Sequence, residues 1–213
     1  MFGLNMRVVY EGLTVNLRPF TKADLPDLVS HFNSMRIHMY TMGLYAQTLE
    51  NEEEWYELNR KEKDSVVWAI IPGKCKKAIG TTGLHHIDIY GSAVSGIIIW
   101  DPKWWKKGIA TRAHLGRTLF AADYLNRLTI KSAARVANGG SVNALLRVGY
   151  NKTGLEPRTF LRAGRFIDTY TLCWIHPERI NMLFPEGLPK EYKQGVKNAK
   201  TALDLARKVV SFP

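Results

Sequence analysis

Cysteine is scarce in this chain of 213 residues, Cys75 and Cys173 being the two it has. Neither stands in a Cys-x-x-Cys pair or beside a paired-histidine motif, which excludes a disulfide framework or a zinc module built on such spacing. No metal site is expected. Long apolar runs are missing too. The longest near the middle, Ile97-Ile98-Ile99-Trp100, falls far below the roughly 18 residues of a membrane-crossing helix. The opening Met1-Phe2-Gly3-Leu4-Asn5-Met6-Arg7 lacks a secretory apolar region. A cytoplasmic protein with no membrane partner is the expectation. Internal repeats and low-complexity tracts are also absent. Acids are missing from residues 103–117, which hold Lys103, Lys106, Lys107, Arg112 and Arg117.

What is present is apolar material for one core, 46% of residues, in a chain short for two full domains. The reading is residues 1–175 as one domain and 176–213 as a basic, helical C-terminal extension. The net charge is +11, yet residues 50–64 hold seven acids against three bases. That segment is therefore −4 and the remainder +15. A body so basic attracts polyanions, and part of its charge can serve the phosphates of a cofactor.

Hydrophobic periodicity supplies the elements. Leu13 to Arg18 alternates as a strand, and Thr21-Lys22-Ala23-Asp24 opens a helix to about Asn33 with a capping-box pattern. Residues 34–47 show no clean period and read as an irregular connection. Thr48 caps an acidic helix to about Lys61, Val66 to Ile71 is a strand, and Lys77 to Ile87 is its hairpin partner. Val94 to Trp100 is a further strand. It runs into a basic turn bearing Gly108 and then a helical pattern through Ala110, Ala113, Leu115, Leu119 and Ala121. Leu128 to Val136 is a strand, Ser141 to Val148 a short helix, and Tyr150 to Leu155 and Phe166 to Ile175 two final strands about an Ala163-Gly164 turn. Glu191 to Val210 reads as one amphipathic, basic helix.

The chemistry centres on the turn Trp105-Lys106-Lys107-Gly108-Ile109-Ala110-Thr111. Backbone N–H groups at a helix start point outward without partners, and the helix dipole adds positive potential. Small residues at the positions of close approach, Gly108 and Ala110, let such a turn cradle a diphosphate.

Gly108-Ile109-Ala110-Thr111 after Asp101-Pro102-Lys103-Trp104-Trp105 resembles the acetyl-CoA signature of the GNAT superfamily of N-acetyltransferases, and especially its RimJ/RimL-like branch of ribosomal-protein N-terminal acetyltransferases. Three further blocks match in order: Leu17 to Asp24, Asn138-Gly139-Gly140-Ser141 with Leu145 to Tyr150, and Gly164 to Asp168. The resemblance spans about residues 13–175. It implies an α+β fold, an αβα sandwich about a mixed, strongly twisted sheet whose two central parallel strands splay. It also implies acetyl-CoA as co-substrate, with its pantetheine arm on the backbone of Ile98, Ile99 and Trp100. Its pyrophosphate lies on residues 105–111 and its thioester near Asn138 and Ser141, and an amine attacks the carbonyl directly. Ser141 then stands as donor to the leaving thiolate. Four departures accompany the match: Lys106 replaces a glycine, Arg112 a common glutamate, and Leu145 a frequent catalytic tyrosine, while Val94-Ser95-Gly96 offers no counterpart to a frequent strand glutamate.

An attacking amine must lose a proton, so a base near neutral pH is sought. His85 and His86 are the candidates, and strand alternation lets at most one reach the cleft. Asp88 and Glu156 rank below them. Asp168 is read as fixing the hairpin or a substrate, and Trp104 and Trp105 as packing about the turn. The acceptor is expected on a macromolecule, such as a protein N-terminus, a ribosomal protein or an amine on RNA or DNA. A small polycation would be repelled by the basic body unless the acidic 50–64 segment lines its way in. A nucleic-acid binding or modifying protein on the same scaffold, or a small-molecule amine acetyltransferase, is the alternative.

Overall fold

A computed structural model describes residues 1–41 and 45–213; Met42, Gly43 and Leu44, part of the connection read as irregular, lie outside the described residues. The chain opens with a strand that the sequence reading omitted. β1 (Met6–Tyr10) pairs with β2 (Leu13–Pro19) through Glu11-Gly12, both at positive φ (47° and 71°), the turn twist that suits a two-residue hairpin. Met6 and Val8 face the core with Val15 and Leu17. At Thr21 the expected cap forms: its N–H and hydroxyl each donate to Asp24 at 2.9 Å, while Arg18 holds the same carboxylate at 2.7 and 2.8 Å.

A 3-10 turn then leads into α1 (Leu25–Phe32), and α2 (Met35–His38) occupies part of the irregular connection. α3 (Leu49–Lys61) starts where Thr48 Oγ1 accepts the Asn51 N–H. β3 (Val66–Pro72) is buried along its whole length, as expected of a strand covered on both faces. β4 (Gly80–His85) is shorter than the Lys77 to Ile87 strand expected, and β5 (Ser92–Ile99) follows.

α4 (Ile109–Leu119) runs on into a π-turn to Tyr124. β6 (Thr129–Arg135), α5 (Gly139–Arg147) and the long hairpin of β7 (Asn151–Arg162) and β8 (Arg165–Ile175) complete the part read from periodicity. α6 (Ile180–Leu183), α7 (Lys190–Val209) and β9 (Val210–Ser211) close the chain. The strands form one mixed sheet in the order β7-β8-β6-β5-β4-β3-β2-β1-β9.

Two apolar layers enclose it. α1 and α3 cover one face over Phe20, Val67, Ala69 and Trp100. α4, α5 and α7 cover the other over Trp68, Ile130, Leu145 and Trp174. α7 buries Val196, Ala199, Leu203 and Ala206, the larger of which contribute roughly 1.5–3 kcal/mol each by leaving water. Its approach is close: a Cβ on Gly149 would stand 2.3 Å from the Ala199 Cα. β9 adds to the sheet edge with Val8 opposite Val210. Residues beyond 175 therefore share the core of the preceding ones.

Candidate active site

β5 and β6 run parallel for three paired positions, Ser92–Thr129, Ala93–Ile130 and Val94–Lys131, and then part. At the base of this fork side chains bridge the widening gap: Ser95 Oγ donates to the Lys131 carbonyl (3.3 Å) and Ser132 Oγ to the Ser95 carbonyl (3.4 Å). Which backbone groups border the open edge follows from the ladder. Trp100 N–H donates to Ile79 on the β4 side, and Gly91 accepts Thr129 N–H on the β6 side. With the two-residue alternation of a strand, even-numbered residues turn to β4 and odd ones to β6. The edge groups are thus those of Ile97 and Ile99, with the Ile99 carbonyl taken by Trp105 Nε1 at 2.8 Å. Ile98 and Trp100, expected to meet the pantetheine arm, direct their backbone groups at β4, and the Trp100 side chain is buried under α1 and α3.

Asp101 caps a short 3-10 turn by accepting the Lys103 N–H at 3.1 Å, and the chain then enters the basic turn. Gly108, at φ 73°, is the N-cap of α4. The first N–H to find a partner inside the helix is that of Arg112, on the Gly108 carbonyl at 3.3 Å, so the N–H groups of Ile109, Ala110 and Thr111 are the outward donors. Ile109 is buried and pins the turn, while Lys106 and Lys107 are exposed. Lys107 Nζ lies over the Trp104 ring and Trp105 packs edge-on against Tyr40.

Two departures from the resemblance find their physical meaning here. Lys106 sits at φ 61°, the left-handed region glycine favours, so the backbone keeps the conformation that its side chain departs from. Arg112 does not add to the phosphate side as expected. Its Nε and Nη2 donate to the Tyr10 carbonyl (3.1 and 2.7 Å) and its Nη1 to the Gly108 carbonyl (3.1 Å), tying the β1–β2 turn to the start of α4.

At the C-terminal end of the other fork strand, Asn138 Oδ1 accepts the Ser141 N–H at 3.2 Å and caps α5. Ser141, third residue of that helix and half-buried, is therefore relieved of the capping role that would otherwise explain it. Leu145 is core.

His85 ends β4 on the face covered by α1 and α3. Its ring lies over the paired glycines of β4 and β5: a Cβ on Gly83 would stand 2.8 Å from its Nε2 and one on Gly96 3.8 Å. Nδ1 is 2.5 Å from Ser65 Oγ, which is 3.4 Å from the Leu84 carbonyl. Burial pushes this imidazole below its ordinary value, His86 and Arg117 add to the push, and Glu62 and Asp64 oppose it. His86 is exposed, at φ 50°, beyond the strand end. Asp88 accepts the N–H groups of Tyr90 and Ser92 in the following turn, and Asp168 accepts the Arg158 N–H at 2.8 Å within the hairpin. Glu156 is exposed on β7.

A residue the sequence reading did not single out, Arg135, joins the mouth together. It donates to the carbonyls of Met39 and Thr41 and stacks on Phe160, 3.8 Å from the ring centre. Among the described residues no group of His, Cys, Asp or Glu could hold a metal ion, and no helix is long and apolar enough to cross a membrane.

The acetyltransferase (GNAT) domain family matches residues 14–151, well over half the chain, and the chain belongs to that family. It is a GNAT-type N-acetyltransferase, and acetyl-CoA is the acyl donor. Among solved structures, spermidine N-acetyltransferase from Vibrio cholerae in complex with CoA and spermine aligns with a TM-score of 0.68 at 24% identity, covering 76% of this chain and 95% of that one. A Vibrio cholerae protein assigned as a ribosomal-protein-serine acetyltransferase gives 0.61 at 21% identity, covering 79% and 97%. A GNAT-family acetyltransferase from Bacillus anthracis gives 0.65 at 16%, covering 79% and 98%. At these identities the likeness is one of fold. No curated protein sequence matches the chain.

The residues present fit acetyl-CoA: an open strand edge, a left-handed glycine before unpaired helix N–H groups, and two exposed lysines beside them.

Proposed function

We propose that this protein moves the acetyl group of acetyl-CoA directly to a primary amine, with His85 as general base and Ser141 as donor to the departing sulfur. The Trp105 to Thr111 turn, the open edge at Ile97 and Ile99, and Asn138 form the acetyl-CoA site in this reading. The observation that carries it is the His85 ring laid over Gly83 and Gly96 beside that edge.

When bound, acetyl-CoA supplies a thioester carbonyl carbon, to which the amine lone pair bonds as the C–S pair leaves with sulfur. His85, held below its ordinary pKa by burial, is neutral at physiological pH and able to take the amine proton. Donation from Nδ1–H to Ser65, and from Ser65 to the Leu84 carbonyl, would leave the Nε2 lone pair toward the fork. The Ser141 hydroxyl, spared from capping, is available to donate to the sulfur as its charge grows. The imidazolium proton passes to solvent and the thiolate is protonated, which closes the balance without an acyl-enzyme.

For the acceptor, the +15 carried outside residues 50–64 supports an amine presented by a macromolecule that bears or accompanies a polyanion, such as a ribosomal protein. Lys190, Lys193 and Lys197 of α7 are exposed, whereas Arg207 is engaged by Asp123 and Glu178 and Lys200 by Asp204 and Glu178. A second reading, a free polyamine, has its own support: the acidic segment ends beside the His85 strand end, where the Ile87 N–H donates to the Asp64 carbonyl at 2.9 Å. Mass spectrometry with ¹³C-acetyl-CoA against ribosomal proteins, N-terminal peptides and spermidine tests both. Labelled amide on the proteins or peptides supports the first acceptor and on spermidine the second. Absence of label on every amine, with the protein folded, contradicts the reaction.

A further inference from the structure

Behind the fork, on the face opposite His85, lies a cation that the mechanism above does not use. Arg117 is fully buried in the third turn of α4, and its partners are all neutral. Nη1 donates to Thr82 Oγ1 (2.8 Å) and to the Gly96 carbonyl (2.9 Å), and Nη2 donates to the Tyr150 hydroxyl (3.3 Å). Both arms end at the fork. Thr82 Oγ1 passes its own proton to the same Gly96 carbonyl (3.1 Å), and Tyr150 donates to Ser95 Oγ (3.2 Å), which donates to Lys131. Among the described residues no carboxylate pairs with this guanidinium, and its Nε is without a partner. A charge stripped of water and left without a counter-ion is costly, and its field acts at full strength on whatever it touches.

What it touches is one end of a particular peptide group. The Gly96 carbonyl and the Ile97 N–H belong to the same planar unit and point in opposite directions. By the ladder register the carbonyl turns to β4 and Arg117, and the N–H to the open edge of the fork. A charge-assisted hydrogen bond at a carbonyl draws electron density from its amide nitrogen and strengthens the N–H as a donor. The Arg117 field is also felt elsewhere: with burial as the main cause, it helps to push His114 well below the ordinary imidazole value.

We propose that Arg117 is a positioning residue of acetyl transfer, polarising the Gly96–Ile97 peptide so that the Ile97 N–H donates more strongly to the thioester carbonyl oxygen in the fork. The inference rests on the acetyl-transfer reading and adds a residue outside the cleft to it. The field is fixed before reaction, so it favours the moment at which that oxygen gains charge over the resting thioester. Tyr150 and Thr82 then hold the guanidinium in place, each meeting one of its two arms.

Isotope-edited infrared spectroscopy tests this without turnover. The probe is the ketone analogue of acetyl-CoA in which a methylene replaces sulfur, ¹³C-labelled at its carbonyl, bound to wild type, Arg117→Met, Arg117→Lys and Thr82→Val. The carbonyl band of the bound probe should lie at lower frequency in wild type than in Arg117→Met. Thr82→Val, which removes one of the two side-chain donors on Gly96, should fall between them, and Arg117→Lys should restore part of the shift. In parallel, kcat should fall about 10- to 100-fold in Arg117→Met, the scale of one transition-state donor, with KM for acetyl-CoA within about threefold. A band unmoved in a folded Arg117→Met that binds the probe overturns the inference and leaves the acetyltransferase reading intact. If that variant does not fold, a band unmoved in Thr82→Val overturns it. A wild type that does not bind the probe or acetyl-CoA overturns both.

Discussion

In the acetyl-CoA site proposed above, the two ends of the cleft are made of different material. The phosphate end is backbone: a left-handed Gly108, the N–H groups that open α4, and a lysine forced to φ 61°. The acetyl end is side chain: His85 on Ser65, Ser141 on a helix capped by its neighbour, and a buried arginine behind the sheet. A site made of backbone survives changes of residue so long as the conformation holds, which is why Lys106 and Arg112 can depart from the expected pattern without undoing the turn. A site made of side chains has no such tolerance. Single truncations should therefore act on turnover at the acetyl end and on cofactor affinity at the phosphate end.

The sharpest case is His85. His85→Ala should lower kcat/KM for the amine by about 10²- to 10⁴-fold, the usual contribution of a positioned base, with acetyl-CoA affinity nearly unchanged. The base form is the neutral ring and burial lowers its pKa. In wild type, kcat/KM should therefore rise with pH through a value below the ordinary imidazole of about 6.5 and show no further histidine step above it. Steady-state rates across pH check this, since the acid limb owed to His85 should vanish in the variant. Loss of affinity in place of turnover would place His85 in the wrong half of the comparison.

Ser141→Ala comes next, with turnover expected to fall about 10- to 1000-fold and calorimetric acetyl-CoA affinity little changed, as for removal of one transition-state donor. Equal turnover would leave the hydroxyl without a role, because Asn138 already caps the helix.

The smallest effect belongs to Lys106→Gly. Relief of a left-handed lysine, worth about 1 kcal/mol or less after glycine's own entropy is counted, should raise the melting temperature slightly and change acetyl-CoA affinity by under about threefold. A large loss of affinity would show that the Lys106 charge, rather than the backbone, holds the phosphates.

Much of this was legible from the residues. The Thr21 and Thr48 caps, β3, α4 and α7 fall close to where periodicity puts them, because each has a full apolar stripe or an unmistakable start signal. β1 was missed since Arg7-Val8-Val9-Tyr10 is short and its one strong signal, Glu11-Gly12, needs a partner strand to be read as a turn. β7 exceeds its expected end at Leu155 because its outer residues are exposed and irregular, with a register shift between Glu156 and Phe160.

In the candidate site, the conformation of the turn was readable because its signals, Gly108 ahead of an apolar helical stripe, are local in sequence. Of the three strand residues expected at the open edge, Ile99 turns its backbone groups there and Ile98 and Trp100 turn theirs to β4, because the pairing of Trp100 with Ile79 sets the parity. That His85 lies within β4 and His86 just past it was likewise set by the strand's end. Arg117 carried a signal that went unused: it stands four residues after Ala113 and eight after Ile109, on the stripe of α4 that faces the core, where an arginine is out of place.

The most direct test of the whole account is calorimetry with acetyl-CoA on wild type and Gly108→Trp. Gly108 lies at φ 73°, and even a Cβ there would stand 2.5 Å from Arg112 Nη1, so a tryptophan both strains the turn and fills the place of closest approach to a diphosphate. Wild type should bind, and a variant that stays folded by circular dichroism should lose at least about 100-fold in affinity, since the pyrophosphate contacts are lost together. Equal affinity in the two folded proteins would contradict the claim that this turn holds acetyl-CoA.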